Sequence, residues 1–397
     1  MVASVASARS APTREPLGGL AEAAFLRRYW HKKALLVRAA MPGFTGPFRK
    51  HQLFALARRD DVESRLVIRA GERWSLRAGP VARRALPSLA TPGWSLLVQG
   101  VDLHDDAAHG LLQRFRFVPD ARLDDVMVSY ASDGGGVGPH IDSYDVFLLQ
   151  LAGRRRWRIG RVARPRLRDD VPLKMLAGFK ATEDWLLEPG DMLYLPPGWG
   201  HDGIADGDCL TASIGFRAPD AAGLAADALQ RLADAALDAI EDGGTAGSAR
   251  NPLYTDRGQA ATPSPARIPG SLQRFAATAI ARATADARAR RRALGEALSE
   301  PKRETWFERA APARLVGAVV LDRRSRMLYD DTHVFLNGEA FRARGRDATL
   351  MRAFADARRL EPAARGRLSA EARGLLERWA EAGWCRSERE RAGDSDE

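Results

Sequence analysis

His140 and Asp142 stand two residues apart in the stretch Ser129–Trp157, SYASDGGGVGPHIDSYDVFLLQLAGRRRW. On a strand, residues i and i+2 share a face, so an imidazole and a carboxylate so spaced can reach one ion. Non-haem iron(II) centres use two histidines and one carboxylate on one side of the metal and leave the other positions open. The third ligand must come from a distant strand, which a barrel can bring close. His201 fits this place, because it follows Leu187–Gly200 (LEPGDMLYLPPGWG), where Pro-Gly turns bracket a short strand. The same residue types would also hold zinc in a hydrolase, so the ligands alone do not select iron.

Arg155 bears on that choice. In the strand around Arg154–Ile159, period two sets Arg155, Trp157 and Ile159 on one face, and Arg154, Arg156 and Arg158 on the other. The second face is charged throughout and therefore outward. The first is largely apolar, so Arg155 would point inward, and a buried guanidinium requires an anion. A dicarboxylate that chelates a metal at one end could meet it at the other with bidentate geometry. An internal Asp or Glu is the alternative partner. A second His-x-Asp pair, His104 and Asp106, is read differently. Asp105 or Asp106 sits where a helix cap belongs, and i, i+2 residues of a helix do not face each other.

The elements that must position these groups are legible as texture. From about Leu17 to Pro219, short β-rich segments separated by turns suggest an antiparallel sandwich or barrel; they include Ser64–Arg69, Trp94–Gln99, Asp125–Tyr130, Val146–Gln150, Arg156–Ile159 and Met192–Leu195. Asp220 then caps a long Ala/Leu helix with Leu229, Leu232, Ala236 and Ile240 on one stripe. Residues 241–271 read as a loop, and a second helical run covers about Leu272–Leu298. Beyond Pro301, the Asn337-Gly338 pair marks a hairpin, and two helices follow, capped near Asp347 and Ser369. Helices with a small hairpin suggest a winged-helix-like module.

Composition sets the outer bounds. The 397 residues are long enough for two or three domains, and 45% apolar with 28% charged residues is ordinary for a globular protein. Two cysteines, Cys209 and Cys385, exclude a disulfide framework and a cysteine-based zinc site, which fits a reducing, cytoplasmic setting. No apolar run is long enough to span a membrane. The net charge of +10, from 61 Lys+Arg against 51 Asp+Glu, favours an acidic partner such as RNA or a ribonucleoprotein, although a general Arg/Ala bias gives the same number.

The GGGVGPHIDSYDVF stretch, together with GRRRWR, EPGDMLYLPPGWGH, SIGFRAP (Ser213–Pro219) and Phe25–Arg38 (FLRRYWHKKALLVR), resembles the JmjC-type cupin family of bacterial ribosomal oxygenases. Trp74–Pro80 and Phe115–Asp125 extend the likeness over nearly the whole chain. Mild departures are Ala34, where the family commonly has Pro, and Ala121, where it commonly has an aromatic residue. The resemblance implies an α+β chain: a double-stranded β-helix (cupin/JmjC jelly roll), a helical dimerisation region and a C-terminal winged-helix-like domain. The expected boundaries are a disordered lead-in over 1–16, the catalytic domain over 17–219, the dimerisation region over 220–300, the winged-helix-like domain over 301–390 and a disordered tail over 391–397.

It further implies Fe(II) on His140, Asp142 and His201, with 2-oxoglutarate and O2 as cosubstrates. Arg155 would bind the distal carboxylate of 2-oxoglutarate and Ser213 would add a contact. The reaction implied is hydroxylation of an arginine side chain on a 50S ribosomal protein, the sixteenth of the large subunit, with release of succinate and CO2. A substrate guanidinium needs an acidic partner. Asp133, seven residues before His140, is the candidate, with a turn-forming role before Gly134 as its alternative. Tyr130 could line the same pocket. A related histidyl hydroxylase of a ribosomal protein, and a non-catalytic ribosome- or RNA-binding cupin protein, are the competing readings.

Overall fold

The computed structural model describes residues 3–5, 16–41, 49–241, 251–311 and 315–388, and its chain divides into two compact units, Met1–Ala218 and Pro219–Glu397. The first unit is built on one antiparallel-rich sheet of eleven strands: β1 (Ala3–Val5), β2 (Leu35–Val37), β3 (Ser64–Ala70), β4 (Arg73–Ala78), β5 (Trp94–Val98), β6 (Leu123–Ala131), β7 (His140–Ile141), β8 (Val146–Arg161), β9 (Glu183–Leu187), β10 (Met192–Leu195) and β11 (Trp199–Phe216). Their order is β1-β2-β10-β8-β11-β6-β5-β3-β4, with β7 added to β11 and β9 added to β8.

The roll arises because β8 and β11 are long and each serves two faces. Val146–Ala152 of β8 pairs with Leu210–Gly215 of β11, between β10 and β6. Arg154–Arg161 pairs with Trp199–Asp206, and there the neighbours are β9 and β7. Register shifts between Asp206 and Thr211 mark the turn from one face to the other. Gly153 sits at the bend with φ +62°, and a Cβ there would lie 2.1 Å from the Asp208 carbonyl oxygen. Val146–Gln150 and Arg156–Ile159, expected as separate strands, are therefore two halves of one.

Alternation sorts the side chains of these strands. Phe147, Leu149 and Leu151 of β8, with Val126, Val128 and Tyr130 of β6, face a core that also holds Phe25, Leu53, Phe54, Leu111 and Phe115. Those last residues come from α1 (Glu22–Arg28), α2 (Lys50–Leu56), α3 (Asp106–Gln113) and the turn after α3, so short helices cover the outer side of the sheet. Val146 and Leu148, with Trp157, Ile159, Leu187, Leu193 and Trp199, form a second core inside the roll. Full burial of each large side chain contributes roughly 1.5–3 kcal/mol relative to exposure.

The second unit opens with α4 (Ala221–Glu241), whose first turn is closed by Gly223 N donating to Asp220 Oδ1 (2.9 Å). The expected single run over Leu272–Leu298 is two helices, α5 (Gly270–Ala285) and α6 (Ala287–Ser299). The chain is extended at Asp286, whose side chain caps α6 by accepting from Arg288 N at 2.8 Å. Then follow β12 (Val319–Leu321), β13 (Met327–Tyr329), β14 (His333–Leu336), β15 (Glu339–Arg342), α7 (Gly345–Ala357), β16 (Arg359–Leu360), α8 (Pro362–Gly366), α9 (Ala370–Glu381) and β17 (Cys385–Ser387).

Asn337 and Gly338, both at positive φ, turn β14 into β15 as their chemistry requires. Ser369 caps α9 through Ala372 N. Asp347 does not cap α7; it lies inside the first turn and accepts from Ser369 N at 3.0 Å, so it ties α7 to the start of α9. In the lead-in, Ala3–Val5 forms a strand parallel to β2 where no structure was expected. The rest of that lead-in, residues 1–2 and 6–15, and the tail after 388 lie outside the described residues, as does the side chain of Ile240.

Candidate metal and cosubstrate site

Antiparallel pairing of β7 with β11 sets His140 directly opposite His201. Their ring centroids are 4.1 Å apart. Asp142 follows β7, with Oδ1 4.0 Å from His140 Nε2 and Oδ2 3.5 Å from His201 Nε2. Potential ligand atoms of the three residues all lie within 4.8 Å of one another, and no other group of His, Cys, Asp and Glu converges in this way among the described residues.

The backbone fixes the tautomers. His140 Nδ1 is 2.9 Å from the Gly138 carbonyl oxygen, and His201 Nδ1 is 3.1 Å from that of Trp199. Each Nδ1–H donates to its carbonyl, which leaves both Nε2 lone pairs facing Asp142, as metal-binding imidazoles require. Burial, then the neighbouring His140, pushes the His201 pKa down to about 4, so its ring stays neutral.

The segment carrying Asp142 is held at both ends. Ahead of it, His140 and Ile141 are paired to β11. Behind it, the fully buried Asp145 carboxylate accepts from Tyr194 Oη at 2.6 Å, with His31 Nε2 at 3.2 Å and Arg122 Nη2 at 3.4 Å. Gly198 N also donates to the Asp142 carbonyl oxygen.

Arg155 is 4% exposed and points into the roll, while Arg154, Arg156 and Arg158 face out. Its Nη1 donates to Ser129 Oγ (3.1 Å) and Thr211 Oγ1 (3.4 Å), and Nη2 donates to the Gly203 carbonyl oxygen (3.2 Å). Thr211 in turn donates to Gln150 Oε1 at 3.0 Å. These partners are neutral; among the described residues no carboxylate forms an ion pair with Arg155, and Asp202, the nearby acid, is bound to Arg158. Arg155 Nε has no partner at all. The internal Asp or Glu weighed as its alternative counter-ion is thus absent from its ion pairs.

His140, Asp142, His201 and Arg155 line a single cavity of about 560 Å³. Ser95 Oγ and Trp157 Nε1, two further buried atoms without partners, belong to residues of the same lining. Unsatisfied donors around an internal space indicate a polar occupant, because leaving each one unpaired costs about 1–3 kcal/mol. The residues present therefore fit both a divalent metal and a dicarboxylate. Ser213 also lines the cavity.

Two expected site residues lie elsewhere. Tyr130 is fully buried on the opposite face of β6, with its ring centroid 4.9 Å from that of Trp94 and 5.4 Å from that of Phe54. Period two puts it with Val126 and Val128, and sends Asp125, Met127 and Ser129 to the cavity. Asp133 does not line the cavity; its Oδ1 accepts from Gly207 N at 2.9 Å and braces the turn in β11. Ser129 and Thr211, which hold Arg155, were not anticipated. The alternation of Val126 and Val128 was the available signal for Ser129. Asp105 caps α3 by accepting from Ala107 N and Ala108 N, and so accounts for the His104-x-Asp106 pattern.

A β-roll with a His–Asp–His cluster and a buried arginine on one cavity is the architecture of a JmjC domain. The JmjC domain family matches residues 110–224, and the ROXA-like winged helix matches residues 283–386. The chain is 41% identical over 197 residues to the ribosomal protein uL16 3-hydroxylase of Escherichia coli K12, and 37% identical over 204 residues to a probable ribosomal oxygenase of Haemophilus influenzae. These alignments take in 49% and 50% of this chain, and the chain spans only about half the length of the relatives, 52% and 50%. Structures extend the likeness. The X-ray structure of E. coli YcfD superposes with TM-score 0.78 at 29% identity, over 92% of this chain and 98% of that one. A complex of YcfD, a ribosomal oxygenase, with cobalt and 2-oxoglutarate gives 0.72 at 28%, over the same shares. The chain carries a JmjC domain and a ROXA-like winged helix, and in sequence and fold it is similar to bacterial ribosomal oxygenases.

Proposed function

We propose that this chain is an iron(II)- and 2-oxoglutarate-dependent oxygenase that hydroxylates an arginine side chain of ribosomal protein uL16, in the cytoplasm. The observation that carries the reading is Arg155: a buried guanidinium with a free Nε, facing the same cavity as the His140, Asp142, His201 cluster. The complex of YcfD with a metal and 2-oxoglutarate supports it, and so does the name of the E. coli relative.

Iron and 2-oxoglutarate bound together would supply the oxidising chemistry, consuming O2 and releasing succinate and CO2. The chain's own groups supply binding and exclusion of water. His140 and His201 present neutral Nε2 atoms, and Asp142 adds the single negative charge. Arg155, set by Ser129 and Thr211, receives the distal carboxylate, and Ser213 lies on the same strand face as Thr211. Trp157 and Leu148 wall the cavity with apolar surface.

For the substrate guanidinium, the acid moves from Asp133 to Asp125. Asp125 lines the cavity and holds its carboxylate in place through Gln99 Nε2 (2.8 Å) and Gly100 N (2.9 Å). Met127 and Tyr144 offer flat apolar and aromatic walls for the arginine stem. The chain would act as a homodimer, with Leu229 and Leu237 of α4 and Ile280 of α5, 52%, 62% and 67% exposed, as the apolar surface that a second copy would cover.

The test is incubation with iron(II), 2-oxoglutarate and a panel of large-subunit ribosomal peptides, read by mass spectrometry. A uL16 peptide gaining one oxygen atom on an arginine, with loss of the gain in Asp142→Ala, is the expected result. Oxidation of a histidine on another peptide would transfer the assignment to a histidyl hydroxylase.

A further inference from the structure

A second concave site lies on the first unit, lined by α2, the segment around Arg83–Leu89, and Ala152 and Leu210 of the sheet. Its volume, about 600 Å³, matches that of the internal cavity. None of its lining residues is acidic, and Arg49, Lys50, His51, Arg58 and Arg83 surround it. Phe54 and Leu89 add apolar lining, and the Arg83 guanidinium lies over the Phe54 ring, 5.4 Å from its centroid.

These cations differ from the outward arginines of β8. The outward row on β8 is neutralised one by one: Arg154 by Asp206 (2.8 Å), Arg156 by Asp184 (2.8 Å) and Arg158 by Asp202. Around the second site only Lys50 has a carboxylate, Asp208, while among the described residues Arg49, Arg58 and Arg83 form no ion pair.

We propose that this hollow binds an unpaired segment of RNA, with phosphates on Arg49 and Arg58 and a base stacked on the Arg83 guanidinium. Guanidinium planes over an apolar side chain take a base face, and flanking arginines take the backbone. The preference for RNA over other phosphates rests on the proposed ribosomal substrate; the anion site itself does not.

The experiment measures fluorescence anisotropy of the full chain with a labelled single-stranded oligoribonucleotide of about ten nucleotides. Expected is binding that weakens as salt rises, and at least a tenfold loss in the triple variant Arg49→Glu, Arg58→Glu, Arg83→Glu, with a shallower dependence of affinity on salt. The same reversal at the exposed Arg257, Arg267 and Arg274 changes net charge equally and should leave most of the binding intact. Peptide hydroxylation retained by the triple variant would show that it folds and that the two sites are separate. Absence of binding by the wild-type chain, or equal losses in both triple variants, would overturn the proposal. Inorganic phosphate or a free mononucleotide displacing the oligomer at equal phosphate concentration would overturn the RNA assignment. Binding needs neither iron nor peptide, so its failure is distinct from failure of the hydroxylase reading.

Discussion

Arg155 is held by three neutral oxygens, and burial lowers its affinity for its proton while the nearby Asp202 raises it, so the proposed distal carboxylate would supply the close counter-charge that the chain itself does not. Arg155→Met should therefore separate two quantities. The variant's KM for 2-oxoglutarate should rise roughly a hundredfold, the equivalent of about 3 kcal/mol for a lost charged contact. Its thermal midpoint without ligands should not fall, because a desolvated charge is replaced by an apolar chain of similar length. Turnover of 2-oxoglutarate and unfolding followed by circular dichroism check the two. At this scale the sequence revealed much: spacing and period two placed His140, Asp142, His201 and Arg155. It could not place Asp133, whose carboxylate reaches Gly207 across a turn that only the folded β11 creates. Tyr130, read with Asp133 as lining the substrate pocket, lies on the far face of β6, because strand alternation sends neighbours to opposite faces.

The strands β8 and β11 carry most of the site, and their close approach depends on small residues. Gly203 stands opposite Trp157, and a Cβ there would lie 2.6 Å from the Trp157 ring and 2.9 Å from Arg155 Nε. Gly203→Ala should thus displace the guanidinium, raising KM for 2-oxoglutarate at least tenfold with a stability loss of about 1–3 kcal/mol. Titrating 2-oxoglutarate in the turnover assay, beside a urea melt, would check both; unchanged KM would mean that Arg155 is free to shift. The elements were readable where local chemistry dictates them, as with Asn337-Gly338 and the Ser369 cap. They were not where register decides. Nothing local in the segment from Val146 to Arg161 shows that a single strand bends at Gly153 and serves two faces. Asp286, read as helix interior, breaks and caps because its carboxylate serves the backbone of α6.

For the whole molecule, the charge of +10 does not act as a uniform field, since the β8 arginines are balanced and those near α2 are not. The exposed leucines of α4 give a separate expectation: Leu229→Glu with Leu237→Glu should reduce the mass in light scattering from that of two chains to that of one. An unchanged mass would assign these leucines no part in association. All of this is secondary to the metal and cosubstrate site. Its most direct test is a crystal structure grown with manganese(II), as an unreactive stand-in for iron, and 2-oxoglutarate. The metal should lie about 2.1 Å from His140 Nε2, His201 Nε2 and an Asp142 oxygen, with the far carboxylate on Arg155. A metal bound elsewhere, or a 2-oxoglutarate that leaves Arg155 Nε and both Nη atoms without a carboxylate, would contradict the account.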